Sequence, residues 1–420
     1  MNAAAERYDV VIAGGGMVGL SFALALDHLS RGALRLLVVE SFAIPDNNAA
    51  PVYRPSFDAR ATALGYGSQC ILDNLGLWRT LAPHATAITD IHVSERSRFG
   101  SATLTAAERG WPTLGHVVEN AWLGTVLLGA VRQRPSITLR SPATVIACKP
   151  GPHSATVTIE HAQQRSECET ALLAIADGAQ SSLRSQLNIG ARTHNYERQA
   201  LIANIGCSEP HRGWAYERFT DWGPMALLPL ADDAASDAPR MALVWTMDET
   251  RADDLCAADD AVFLRTLQQR FGPRQGRINR VGQRQRYALQ LIAAEEQIRR
   301  QVVLIGNAAH SLHPVAGQGF NLALRDVQRL AEILAGAHAQ REPLGELATL
   351  QRYLREQALD QRKTLLFSDQ LTALFERGGA LASSARRFGL FALDLSAPLK
   401  NRFIDHTAGF HAGAALGGQP

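Results

Sequence analysis

The chain has 420 residues, 46% of them hydrophobic and 20% charged. That is enough for two or three domains with a full core, and it excludes a disordered chain or a small module held by staples. Lys plus Arg number 42 against 40 for Asp plus Glu, and no basic stripe interleaves with aromatics, so nucleic acid is not an expected partner.

The N-terminus carries Glu6 and Asp9 and reaches a glycine cluster before any long apolar region, so it does not read as a signal peptide. Tyr8 to Ala13 is a short apolar, β-branched run that predicts a strand, and the next residues read GGGMVG from Gly14 to Gly19. Val18, Phe22, Ala25 and Leu29 then recur at helical spacing as far as Ser30, with Gly32 placed to end the helix. A second strand, Leu36 to Val39, ends in Glu40 and completes a βαβ opening. Helical patterning resumes near Ala61, and the run ALLAIA from Ala171 predicts a strand ending at Asp177 and Gly178. Between Asn204 and Thr246 the runs ANIGC, AYERF, MALLPL and MALVW, punctuated by Gly, Pro and Asp, predict a separate sheet. Val302 to Ile305 predicts one more strand. A glycine-rich loop follows, then a helix from about Phe320 with Leu324, Val327, Leu330 and Leu334 on one face. Beyond about Gly345 the pattern is mostly helical, and 411–420 read as a disordered tail. The longest stretch free of Lys, Arg, Asp and Glu, Gln301 to Leu324, is too rich in His, Gly, Pro and amides to cross a bilayer.

The five cysteines, Cys70, Cys148, Cys168, Cys207 and Cys256, are odd in number, scattered and free of any CxxC pair. That argues against a disulfide framework or a metal site and for a reducing, cytoplasmic compartment.

Three glycine-centred motifs carry the chemistry. In the first, Gly14, Gly16 and Gly19 allow a tight turn and close approach of a pyrophosphate to N–H groups at the positive end of a helix. Glu40 then suits the ribose hydroxyls of FAD or NAD better than a 2′-phosphorylated cofactor. In the second, Asp177 and Gly178 are followed by Ser181 and Arg184; an aspartate at a strand end either caps a helix or binds a hydroxyl near a phosphate. The third runs from Gly306, Asn307 and His310 through Pro314 to Gly317, Gly319, Phe320 and Asn321. There an amide can hold a ribityl hydroxyl, glycines leave room for a flat ring, and a helix N-terminus favours the negative charge of reduced flavin.

These motifs, in this order, resemble the FAD-dependent aromatic-ring hydroxylases of the para-hydroxybenzoate hydroxylase fold, over about residues 8 to 400. More narrowly, FDARATAL around Arg60, YERFT from Tyr216, GPMALLPL from Gly223 and LIGNAAHSLHPVAGQGFNLALRD from Leu304 are similar to the ubiquinone-biosynthesis hydroxylases, above all the 2-polyprenyl-6-methoxyphenol group. One departure is Asn307, where the wider family usually has Asp. An amide still offers a donor and an acceptor, so FAD binding is expected to survive.

The resemblance implies an α/β fold: a Rossmann-like FAD-binding domain (1–75, 106–190 and 286–345) interrupted by a mixed β-sheet substrate domain (76–105 and 191–285), with a helical C-terminal region (346–410). It implies that Gly14, Gly16, Gly19 and Glu40 hold the ADP half of FAD, with Arg60 near the pyrophosphate and Asp177 and Gly178 in the cradle. Gly306, Asn307, Pro314, Gly317, Gly319, Phe320 and Asn321 would surround the ribityl chain and isoalloxazine. Substrate contacts are expected from Tyr216, Arg218, Leu228 and Pro229. His310 and His313 are the first candidates for a base, each equally a packed histidine. The implied reaction is hydroxylation of a prenylated phenol through a flavin C4a-hydroperoxide, with O2 and with NAD(P)H as transient reductant. Rival readings are a hydroxylase of another phenolic or polycyclic compound, a flavin-dependent prenyl-chain reductase, and a flavoprotein that serves an assembly. The basic and apolar segment Ala380 to Phe403 suggests peripheral membrane contact or association with other ubiquinone-biosynthesis proteins, against the simpler reading of a core-facing helix. An oligomer is left open.

Overall fold

In the computed structural model the described residues are 6–44, 52–53, 60–96, 101–233, 238–311, 318–376 and 396–409. The apolar run after Tyr8 forms the strand Glu6–Ala13, and the second run forms Leu36–Val39, paired in parallel with it. On its other side Glu6–Ala13 pairs in parallel with Gln164–Ile175, which pairs in parallel with Val302–Leu304. Three stretches distant in sequence thus stand side by side, and each ends in one of the glycine motifs. Val10 and Ile12 face one core and Val11 and Ala13 another, which explains a continuous apolar run where a one-faced strand would alternate. The helix Met17–Ser30 covers the first of these faces together with Asn120–Arg132 and the long helix Gln318–Ala339.

A second, nine-stranded sheet carries, in order, His310–Ser311, Gln285–Ala294, Ala191–Cys207, Ala238–Met247, Pro224–Asp233, Trp214–Phe219, Asp90–Glu95 and Ser101–Thr105. The short strand Ile278–Val281 pairs beside Ala191–Cys207. The expected separate sheet is present, but it is not bare. Helices Glu249–Ala257 and Asp260–Phe271 seal one face of it with Phe263, Leu267 and Phe271. Each begins on an aspartate, Asp248 accepting from the N–H of Arg251 and Asp259 from that of Val262.

A third sheet joins Ala61–Gly65, Gly115–Glu119 and Ala85–Ile88. Here the structure corrects the expectation of helix from Ala61. Ala61 and Ala63 belong to a strand whose side chains pack beneath the large sheet, and the helix begins only at Tyr66. The C-terminal region is helical, over Leu347–Glu376 and Ala397–Ala408. Of the proposed membrane-facing segment, 380–395 lie outside the described residues. Its end and the two residues that follow it pack on the chain itself: Lys400 pairs with Glu108, Phe403 packs beside the buried Ile404, and Asp405 pairs with Arg109. The expected disordered tail, 411–420, also lies outside the described residues. Among the described residues no helix is long and apolar enough to cross a membrane.

Candidate active site

At the end of Glu6–Ala13 the backbone of Gly14 takes φ +112°, a conformation that L side chains rarely adopt, and its N–H donates to the carbonyl of Val39 at 2.8 Å. A Cβ on Gly19 would lie 2.0 Å from the carbonyl oxygen of Gly14, so this glycine lets the helix sit directly on the turn. Gly16 differs: a Cβ there would meet nothing within 4 Å. Gly16 is the N-cap, and no side chain caps the helix or puts a negative charge in its first turn, so the positive helix end opens onto free space. Glu40 stands beside it, one carboxylate oxygen accepting from the N–H of Gly15 at 2.6 Å and the other from that of Phe42 at 2.8 Å.

The second motif adjoins the first, because the Cβ that Gly14 lacks would meet the carbonyl of Ala176. Gly178 has φ +96° with open space around it. Asp177 is exposed. Neighbouring protein pushes its carboxyl above the usual range, against hydrogen bonds from Ser181 and the N–H of Leu183. Ser181 is the N-cap of the short helix that follows, its hydroxyl accepting from the N–H of Arg184, and Asp177 adds its bond from Leu183 in the same first turn. Arg184 is buried and donates to the carbonyls of Ala179 and Ala308, at 3.0 and 2.9 Å, which ties the second motif to the third.

In the third motif Gly306 has φ +58° and packs on Val18, while Asn307 is exposed just beyond the strand. His310 is buried, its Nε2 2.8 Å from Asp326. Burial pulls the imidazole down, but the Asp326 carboxylate outweighs it and holds it above the ordinary range. Asp326 in turn accepts from Gln357 and Gln361, so this expected base is held inside a buried network. Phe320 packs half-buried on the dinucleotide-domain core, and Gly319 lies in the first turn of its helix. Asn321 is buried: its Oδ1 accepts from the N–H of Gly65 and the hydroxyl of Ser68, at 2.9 and 2.6 Å, and its Nδ2 donates to Ala63 at 2.8 Å. These contacts make it a staple between the helix and the small sheet. Asn321→Asp turns a donor into an acceptor against the Ala63 carbonyl; we expect a loss of about 1–3 kcal/mol in stability, checked by the urea midpoint. His313, Pro314 and Gly317 lie outside the described residues. Arg60 is exposed and reaches Tyr287 of the large sheet, 3.2 Å from its hydroxyl and over its ring.

The two faces of the large sheet differ. Trp214 and Tyr216 pack among the helix-side residues; Tyr216 accepts from Gln275 at 2.7 Å and Arg218 donates to the carbonyl of Arg270. Pro229 stands opposite Met241 on that same sealed face. Among the four residues expected at the substrate, only Leu228 points the other way, where it clusters with Ala215, Ala61, Ala63 and Val117. Pairing carries a row across this second face, Glu217 opposite Ala226, Ala226 opposite Val244, and Val244 opposite Ile202. Those four and Leu228 keep partial exposure, whereas Met225, Leu227, Leu243 and Trp245 on the helix side are fully buried. The open face turns toward Ala61 and Ala63, the strand that Asn321 staples to the third motif.

The model of the FAD binding domain family matches residues 7–359. The chain belongs to the FAD-dependent aromatic-ring hydroxylases. Among curated relatives, the hydroxylase is 33% identical to a ubiquinone hydroxylase of Rhodospirillum rubrum, covering 96% of this chain and 89% of that one. It is 30% identical to 3-demethoxyubiquinol 3-hydroxylase of Escherichia coli, covering 96% and 98%. Its fold matches that of p-nitrophenol 4-monooxygenase from Pseudomonas putida, with TM-score 0.73 and 19% identity over 97% of this chain and 100% of that one. The hydroxylase uses FAD, and NAD(P)H is the reductant typical of its family. The residues present fit that cofactor. An uncapped helix end over free space at Gly16, with a carboxylate beside it, offers N–H donors to a pyrophosphate and an acceptor to a ribose.

Proposed function

We propose that the hydroxylase adds oxygen to the ring of a polyprenylated phenol of the 2-polyprenyl-6-methoxyphenol type in ubiquinone biosynthesis. The observation that carries this reading is end-to-end similarity, at 30% identity or more, to a ubiquinone hydroxylase and a 3-demethoxyubiquinol 3-hydroxylase. The LIGNAAHSLHPVAGQGFNLALRD segment and the apolar open face support it. The balanced reaction converts phenol, O2, NAD(P)H and a proton to the hydroxylated ring, NAD(P)+ and water. When bound, FAD would pass the electrons of NAD(P)H to O2 and so make one of its oxygen atoms electrophilic.

The chain's own part is binding and enclosure. The uncapped turn at Gly16 would receive the pyrophosphate, Glu40 the ribose, and Asn307, exposed at the end of its strand, a ribityl hydroxyl. The face bearing Leu228, Val244 and Ile202 would hold the ring and the start of its prenyl tail away from water. The test is mass spectrometry of lipid extracts from cells lacking the chain. Accumulation of a 2-polyprenylphenol or its 6-methoxy form as ubiquinone falls is expected. Unchanged ubiquinone without such an intermediate, in a host with no redundant hydroxylase, would defeat the pathway reading.

A further inference from the structure

We propose that Glu217 is the general base of the hydroxylation, its carboxylate accepting the phenol proton on the open face of the large sheet. The inference rests on the reading of the substrate as a phenol. Strand alternation fixes the direction of the side chain: Tyr216 and Arg218 bond to the helix side, so Glu217 between them points to the face that the Asn321 staple connects to the third motif. Its cross-strand neighbours there are Ala226 and Val93. Neither offers a polar atom, and Ala226 leaves room above the sheet. No hydrogen bond or ion pair to the Glu217 carboxylate is formed among the described residues, although it is half-buried. A carboxylate in such a place is costly unless a donor arrives, and a phenol hydroxyl is a donor that the proposed substrate brings.

Electrostatics agrees with this geometry. Burial alone pushes the Glu217 carboxyl up to about 7, which places a base near the working pH. The other ionisable groups on this face or on the elements packed against it are Glu95 on the adjacent strand, the Arg240–Glu119 pair with Tyr53, Arg60 with Tyr287, and the Arg109–Asp405 and Lys400–Glu108 pairs, and none of them contributes to that shift. In the step, the phenol O–H bond breaks and the proton passes to a Glu217 oxygen. The electron pair stays on the phenolic oxygen and enriches the ring that receives oxygen. Afterwards the attacked carbon releases its hydrogen as a proton, aromaticity returns, and Glu217 gives its proton to solvent.

The test uses flavin-loaded enzyme, Glu217→Gln and Glu217→Asp, with 2-methoxyphenol bearing one isoprenyl unit as the probe. Two readouts are followed from about pH 5.5 to 9, a range that brackets the base: oxygen added to the probe, and probe binding seen as perturbed flavin absorbance. In the parent, turnover and affinity should both rise as pH passes about 7. Glu217→Gln should keep its flavin, lose that pH limb in both readouts and turn over roughly 100-fold more slowly, while Glu217→Asp restores the limb. A limb that persists in Glu217→Gln overturns the inference even if the parent hydroxylates. A parent that binds the phenol with a Glu217-dependent limb yet adds no oxygen overturns the hydroxylation reading instead. A parent that does not bind the phenol overturns both.

Discussion

Gly19→Ala should strip flavin from the purified protein and lower the Tm of the flavin-free chain, whereas Gly16→Ala should weaken flavin binding alone. The two glycines sit three residues apart, yet the space around them is opposite. At Gly19 a methyl would stand 2.0 Å from the Gly14 carbonyl oxygen. That neighbour is backbone in a turn locked by the Gly14 to Val39 hydrogen bond, so the helix must lift off the strand. Overpacking of this kind costs about 1–3 kcal/mol or more, with or without cofactor. At Gly16 nothing lies within 4 Å, and the backbone, at φ −71°, accepts alanine. Replacing glycine at an N-cap costs about 1 kcal/mol or less, but the methyl enters the space over the helix end where a pyrophosphate would approach. Flavin absorbance per protein after gel filtration, with the Tm of the flavin-free forms, separates the two. Should flavin-free Gly19→Ala melt like the parent, its glycine serves the ligand and not the packing.

That contrast shows what a sequence can and cannot carry. The glycine turn, the apolar strand and the acid at the end of the next strand are local signals. Each is written within a few residues by backbone freedom or hydrophobic run length, and the structure has the turn, Leu36–Val39 and Glu40 in those places. Which face of a strand meets the substrate is not local. Tyr216 and Arg218 differ from Glu217 only in parity, and parity is settled by what covers the sheet. The covering helices, Glu249–Ala257 and Asp260–Phe271, are announced only by Asp248 and Asp259 ahead of weakly patterned segments. Read as caps, those aspartates predict helices and hint that Tyr216 is covered. Asn321 and His310 carry the same lesson. Both lie in the most informative motif, but their partners are 253 to 258 residues upstream for Asn321 and on a following helix for His310. Spacing along the chain does not reveal an amide that holds the structure together. Glu217 is hidden for a related reason: in sequence it is one residue of the YERFT segment, and its distinguishing property is the lack of partners, which only three dimensions display.

Arg240→Met should be the most destabilising single change in the large sheet, and Glu119→Leu placed on top of it should restore much of the loss. The guanidinium of Arg240 donates to Glu119 at 3.0 Å and to the carbonyl of Ala231 at 2.8 Å, and the two charged side chains are only 2% and 3% exposed. Removing the cation leaves a carboxylate in a place without water, at a cost of about 3–5 kcal/mol; removing both charges leaves apolar groups that can pack. The urea midpoints of the parent, the two single variants and the double variant would give the coupling directly. Additive losses would mean that the pair is held by its surroundings rather than by its own attraction. The pair also has a place in the chemistry. It binds Gly115–Glu119, the middle strand of the small sheet, to Ala238–Met247 in the large one. Through Ala61–Gly65 and Asn321 it therefore fixes the distance between the open face of the large sheet, where we propose the ring binds, and the third glycine motif. A double variant that regains stability but oxidises NAD(P)H without adding oxygen to the ring would show that a buried ion pair can be replaced in folding and still be needed to hold two faces in register.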